Sequence, residues 1–254
     1  MLPIPTAHRT QAAAFLEDAA VLVRRSEHVA LVNVSISHTG GYGVWLAEGT
    51  RHSELNGCAL SDLGAGGVRI GSNFSVGSMT RQPKAASARS TTRPSSTATG
   101  LNVVLNTSIL GGGRVYPEGV GILIQRSKGN RISGCEIGHM RYTGVSLGWE
   151  WGYKTPSGAG NNSVVGNYIH HIGDGTLADM GGVYVLGRSE GSVIEGNVIA
   201  FVIGYHMYSW GVRQLGSNRA LAHRLVVAAH ACHTYPLKLW MDGTAIYHTA
   251  GLPR

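Results

Sequence analysis

NYIHHIGDGTLADMGGVYVLG, residues 167–187, contains the two apolar runs that recur along this chain and the loop between them. It opens on a short strand-like run, Asn167-Tyr168-Ile169, crosses a polar loop, and ends on Gly182-Val183 at the head of a second run, Val183-Tyr184-Val185. The same order recurs along the sequence. The glycine-hydrophobic pairs are Gly43-Val44, Gly67-Val68, Gly121-Ile122, Gly144-Val145, Gly182-Val183 and Gly211-Val212. Ahead of them stand the aliphatic anchors Ile36, Leu60, Ile109, Ile137, Ile169 and Ile199, spaced 24, 49, 28, 32 and 30 residues apart. Self-similarity at such a period marks a solenoid, in which each repeat buries its apolar face only against its neighbours.

Both runs alternate with period two and carry β-branched or aliphatic residues on one face, the pattern of strands half-buried in a shared interior. Examples are Val32-Asn33-Val34-Ser35-Ile36 for the first run and Ile122-Leu123-Ile124 for the second. Gln11 to Arg24 is the one stretch that fits an amphipathic turn or two of helix. Gly makes up 37 of 254 residues, as expected of a chain that bends at every corner, and lacks collagen's three-residue period. Stacked coils of two or three strands predict an all-β fold, a right-handed parallel β-helix with about six coils. The dense leucine consensus and helical return of leucine-rich repeats are missing.

The expected organisation is a lead-in or cap over residues 1–24, a β-helix over 25–212, and a non-repeat tail over 213–254. Residues 73–100, rich in Ser, Thr, Ala, Arg and Pro, read as a disordered insertion within the helix and account for the 49-residue step. For the tail, an unusual cap, a shifted reading frame and a mis-joined exon are equally open, since a solenoid needs its last apolar rung covered.

The formal charge of +7 is not spread evenly. Arg81, Lys84, Arg89 and Arg93 give +4 to residues 73–100, and residues 213–254 carry another +4, which leaves the repeats near −1. A body without a basic stripe is a poor partner for phosphates, so no nucleic-acid partner is expected. No run of 18 apolar residues suggests a membrane span, and residues 1–10 do not read as a secretory signal. Cys58 and Cys135 share a register position two before their anchors but stand two rungs apart, roughly 10 Å, too far for a disulfide. No His/Cys spacing suggests zinc, so neither a metal nor a cofactor is expected.

Spacing from anchor to glycine-hydrophobic pair locates the chemistry. It is 8 residues in three coils and 13, 14 and 13 in the others, and solenoid insertions commonly form the binding face. The longest loop carries Asp174 and Asp179 after His170 and His171, with Tyr184 on the following strand. Glycoside hydrolysis uses two carboxyl groups, one to protonate the leaving oxygen and one as nucleophile or base. Asp179, directly ahead of a strand, is the first catalytic candidate. Glu118, in the 112–121 loop, is a candidate second carboxylate and as readily a solvated loop acid, and Asp174, between glycines, is a weaker candidate that reads first as a turn residue. Strand alternation predicts one of His170 and His171 inward and the other outward, available to a sugar hydroxyl. Trp149, Glu150, Trp151 and Tyr153 form an aromatic wall on which sugar C–H faces can stack, and Tyr205, His206, Tyr208 and Trp210 repeat that chemistry.

Three segments, GGRVYPEGVGI (112–122), YTGVSLGWEWGY (142–153) and the 167–187 stretch, resemble the β-helix enzymes of glycoside hydrolase family 141. The resemblance covers roughly 25–72 and 101–212 and implies a secreted enzyme on plant cell-wall glycans, with fucosidase and xylanase activities in the family. It places Asp179 on the matching catalytic aspartate. After Val212 the family's acidic pair is replaced by Arg213-Gln214-Leu215-Gly216, and the family domain is longer than this chain. The expected function is therefore glycan hydrolysis on a polysaccharide or oligosaccharide, possible only if the second carboxylate comes from residues already named. Two rivals remain. A lyase or epimerase on the same fold would need Arg114 or Lys154 as base, and a glycan-binding solenoid would need no catalysis.

Overall fold

The computed structural model describes residues 18–72, 98–148, 158–177 and 180–203, with the backbone of four further strands over 212–247. The chain winds as a parallel β-helix of three strands per turn. The first coil is β1 (Ala19–Val23), β2 (Ala30–Val32) and β3 (Ser35–Thr39), and the second is β4 (Tyr42–Leu46), β5 (Glu54–Asn56) and β6 (Ala59–Leu63). The third is β7 (Val68–Gly71), β8 (Val103–Leu105) and β9 (Ser108–Gly112), and the fourth is β10 (Ile122–Gln125), β11 (Arg131–Ser133) and β12 (Glu136–Met140). The fifth is β13 (Val145–Leu147), β14 (Ser163–Val165) and β15 (Tyr168–Ile172). In the sixth, β16 (Val183–Leu186) is followed by β17 (Val193–Val202), which serves as both second and third strand. First strands stack into sheet 1, second strands into sheet 2 and third strands into sheet 3.

The register confirms the repeat residue for residue. Val44, Val68, Ile122, Val145, Val183 and Val212 are successive partners in sheet 1. The six anchors, Ile36 to Ile199, are successive partners in sheet 3. A third apolar row, Leu31, Leu55, Val104, Ile132, Val164 and Ile194, runs up sheet 2. From the second coil to the sixth these rows are closed to solvent, and each buried aliphatic side chain contributes on the order of 1.5–3 kcal/mol.

Two expectations change. The run before each anchor is two strands joined by a tight turn. That turn lies three residues ahead of the anchor, at Asn33, Gly57, Asn106, Gly134, Gly166 and Gly196, all at positive φ. Glycine and asparagine tolerate this region best, which is why only they occupy the column. Residues 19–23, expected to be helical, form β1 and pair with β4, because an alternating Ala-Ala-Val-Leu-Val segment satisfies a sheet edge that a helix would leave open.

The glycines of the glycine-hydrophobic pairs serve space rather than bending. A Cβ on Gly67 would lie 2.4 Å from Ile109 Cγ2, and one on Gly121 or Gly144 2.6 Å from the Cγ2 of Ile137 or Ile169. Each of these glycines lets the anchor of its own coil pack against bare backbone.

Buried turns are satisfied by stacked polar side chains. Asn130 Oδ1 accepts from Asn102 N at 3.2 Å, and Asn162 Oδ1 accepts from Asn130 N and Nδ2, both at 2.9 Å. A second column runs through Thr107, Cys135, Asn167 and Asn197. Cys58 and Cys135 are buried free thiols, and burial raises the Cys135 pKa.

Residues 73–97 lie outside the described residues, whereas Thr99 and Gly100 belong to the stack. Beyond 211 the backbone adds β18 (Val212–Leu215) next to β16 and β19 (Leu225–Ala228) next to β17. Next come β20 (Lys238–Met241) beside β18 and an antiparallel β21 (Thr244–Tyr247).

Candidate active site

Sheet 1 lies between the two sets of loops that carry the candidates. On one side, residues 113–121 and 173–182 connect sheet 3 to β10 and β16. On the other, residues 148–162 leave β13 toward β14. The outward row of sheet 1 between them is Trp45, Arg69, Leu123, Ser146 and Tyr184, none more than 3 % exposed. Arg69 Nε donates to Gln125 Oε1 at 2.8 Å, its guanidinium lies 4.1 Å from the Trp45 ring centroid, and Trp45 Nε1 donates to Gly71 O at 2.7 Å.

Glu118 is half-buried in a loop docked on the preceding coil, where Val115 N and Tyr116 N both donate to Gly64 O at 2.8 Å. The Tyr42 phenol is pushed up to about 12, chiefly by burial; Arg69 opposes that rise and Glu118 adds to it. Asp174 caps its own turn: its Oδ1 accepts from Thr176 N at 3.0 Å, and Arg141 Nε stands 3.7 Å from Oδ2. Its turn role is therefore visible. Tyr184 is fully buried on β16. Asp179, Trp149, Glu150, Trp151, Tyr153, Tyr205, His206 and Trp210 lie outside the described residues.

The expectation for His170 and His171 holds for burial, His170 being 6 % exposed and His171 open to solvent, but not for the side of the sheet they occupy. Ile169 and Ile172 fill the core, and both imidazoles lie on the outer side of sheet 3 with their Nδ1 atoms 2.8 Å apart. The cause is backbone geometry. His171 has φ of 49°, which interrupts the alternation, and the same break recurs two residues after every anchor, at His38, Asp62, Gly111, His139 and Phe201. Coil stacking then brings His139 onto His171, rings 4.7 Å apart and 14° from parallel. His139, His170 and His171 each offer a ligand nitrogen, all within 4.8 Å of one another, so the absence of local zinc spacing did not preclude a cluster of potential metal ligands. Desolvation first, then the neighbouring His139 and His170, lower the His171 pKa. The signal in the sequence was His at the same offset from two anchors, invisible until the turn column is known.

The family described as the right-handed β-helix region matches residues 19–199. The chain belongs to the right-handed β-helix family. No curated protein matches it. Among solved structures this β-helix is similar to a glycoside hydrolase, at 22 % identity and a TM-score of 0.61 over 84 % of this chain. The chain spans only 36 % of that protein's length. It is also similar to an alginate lyase from Paenibacillus sp. str. FPU-7, at 13 % identity and a TM-score of 0.49, covering 84 % of this chain and 70 % of that one. A mannuronan C-5 epimerase A-module from Azotobacter vinelandii matches at 14 % identity and a TM-score of 0.37, covering 79 % of this chain and 59 % of that one.

Arg114, a candidate base for an elimination reaction, pairs through its guanidinium with Asp62, which also contacts His38. That ion pair engages the guanidinium on the protein itself rather than leaving it to face a substrate. Lys154 lies outside the described residues.

Proposed function

We propose that this β-helix is a carbohydrate-active domain, related to glycoside hydrolase family 141, that hydrolyses glycans of plant cell-wall type. The observation that supports it is the convergence of the three resembling segments on one place. They enter or contain β10, β13 and β16, neighbouring strands of sheet 1. Asp179 and Glu118 each precede the first residue of their strand, Val183 and Ile122, by four positions, and only β13 separates those strands. The heads of β10 and β16 stand two rungs apart, about 9.6 Å, just beyond the roughly 6.5–9.5 Å that inverting enzymes keep between their carboxyl groups.

In this reading one of the two carboxyls protonates the glycosidic oxygen. The other takes a proton from the water that attacks the anomeric carbon from the opposite face. Asp174 is committed to its turn and is the weaker partner. Trp149, Trp151, Tyr153, Tyr205 and Trp210 are the residues assigned to hold the sugar by stacking, with Glu150 and His206 as polar contacts. His170 and His171 face out from sheet 3 and are left out of this contact.

The test is release of reducing ends from a panel of plant cell-wall glycans, with proton NMR of the first anomer formed. Asp179→Asn is expected to lower turnover by about 10²–10⁴-fold, the usual contribution of a positioned acid or base. Unchanged turnover sinks the assignment of Asp179. A retained anomeric configuration sinks the Glu118 pairing, and new double-bond absorbance would indicate elimination instead. The Arg213-Gln214 pair after Val212, where the resembling family has acids, favours a second reading, glycan binding without cleavage. Retention on a glycan gel with no new reducing ends would establish it.

A further inference from the structure

We propose that His139, His170 and His171 form a binding site for one divalent transition-metal ion on the outer side of sheet 3, clamping the fourth and fifth coils together. The inference is independent of the hydrolase reading and rests on four observations.

The first is composition. Three imidazoles offer ligand nitrogens within 4.8 Å of one another, a set suited to zinc, nickel, cobalt or copper and not to calcium or magnesium, which take oxygen.

The second is spacing. The Nδ1 atoms of His170 and His171 are 2.8 Å apart. Two nitrogens bound about 2.05 Å from one metal stand roughly 2.9 Å apart at a right angle and roughly 3.4 Å apart at the tetrahedral angle. The pair therefore already spans about one edge of a coordination shell. Without a metal, that contact requires a proton on one nitrogen and a lone pair on the other.

The third is support from the next layer of side chains. His170 Nε2 is 3.2 Å from Glu136 Oε1. A carboxylate on the far nitrogen is the usual partner of a metal-bound histidine, because it fixes the tautomer and turns the other lone pair toward the ion. Ser108 Oγ donates to the other oxygen of Glu136 at 3.4 Å. Gly138 makes room for this arrangement, since a Cβ there would lie 2.5 Å from His170 Cε1.

The fourth is ring restraint. Tyr168 stacks on His170 with centroids 4.3 Å apart, and Phe201 stacks on His171 at 4.6 Å. His139 is exposed and lies parallel to His171, so it completes the site by turning its ring edge toward the other two. Three protein ligands leave a position for water.

The experiment titrates zinc chloride into the full chain, freed of metal by chelator and dialysis, using calorimetry, and repeats the titration with cobalt by visible absorbance. Expected is one ion per chain with Kd of micromolar order or tighter, and cobalt bands of nitrogen ligation. His139→Ala and His171→Ala change exposed residues, so folding is preserved and checked by circular dichroism; each is expected to weaken binding at least tenfold. Glu136→Gln, which keeps all three ligands, is expected to weaken it about tenfold. The double variant His28→Ala/His52→Ala removes the other stacked imidazole pair, whose centroids are 5.3 Å apart, and is expected to leave binding unchanged. Zinc affinity weaker than about 1 mM overturns the proposal. So does affinity that survives both His139→Ala and His171→Ala, or that falls with the His28/His52 variant instead.

Discussion

Sheets 1 and 3 climb the same stack of coils, yet their outer rows differ in kind. Leu123 and Ser146 on sheet 1 are each 1 % exposed, whereas Tyr168 on sheet 3 is 41 % exposed and Ser37 and Ser61 are open to solvent. Both rows alternate with the same inward aliphatics, so the strand pattern alone does not set the difference. The outer row of sheet 1 is closed, and the strands of that sheet are joined to the rest of the chain by its longest connections. Sheet 3 keeps an open face on which imidazoles from neighbouring coils meet. The β-helix thus builds two candidate sites by two routes, one by extending loops and the other by repeating a residue at a fixed offset from the anchor.

The largest effect on stability separates the two rows directly. Leu123 points away from the helix axis, where a solenoid's outer face is ordinarily wet, yet it is as buried as the core. Leu123→Ala is expected to cost about 2–5 kcal/mol, the range for a core leucine, measured by urea denaturation. A cost below about 0.5 kcal/mol would mean the row is not packed, and the contrast would collapse. Arg69→Met comes next. It keeps much of the volume but leaves Gln125 Oε1 without its Arg69 donor and Trp45 with only the more distant Arg24 cation, 5.8 Å from its ring centroid, so about 1–3 kcal/mol is expected from the same measurement. A neutral or stabilising result would show that Arg69 is retained for chemistry beneath the loops rather than for folding.

The anchors and glycine-hydrophobic pairs were legible because coil stacking preserves period-two alternation, and every one of them falls in register. The third strand was not legible. A left-handed residue at Asn33 or Gly134 turns the chain without interrupting the apolar run, so a single strand is the natural reading of the letters. The asparagines at 102, 130 and 162 carry no signal of their ladder in the sequence, because it exists only once the coils are stacked. His139 escaped notice for the same reason. It lies 31 residues before His170, and their proximity depends on Met140 pairing with Ile172. The turn role of Asp174 was legible from its flanking glycines, and its bonds from Thr176 bear that reading out.

The smallest effect tests whether the open face is organised or merely exposed. Gly138 has no need of glycine's backbone freedom, since its φ is not among the positive ones. Its hydrogen is required only because the His170 ring lies over it. Gly138→Ala should therefore be tolerated by the strand and cost about 1 kcal/mol, the low end of overpacking, as the methyl displaces the ring. The displaced ring cannot keep both Glu136 on Nε2 and His171 on Nδ1. Metal affinity should fall with a stability change too small to account for it. If stability falls by 3 kcal/mol or more, the ring is wedged in place as packing and sheet 3 resembles sheet 1 more than its exposure suggests. If neither quantity moves, the imidazole already has another position and the face is unorganised. A drop in affinity with the fold intact is the outcome that keeps the two sheets distinct.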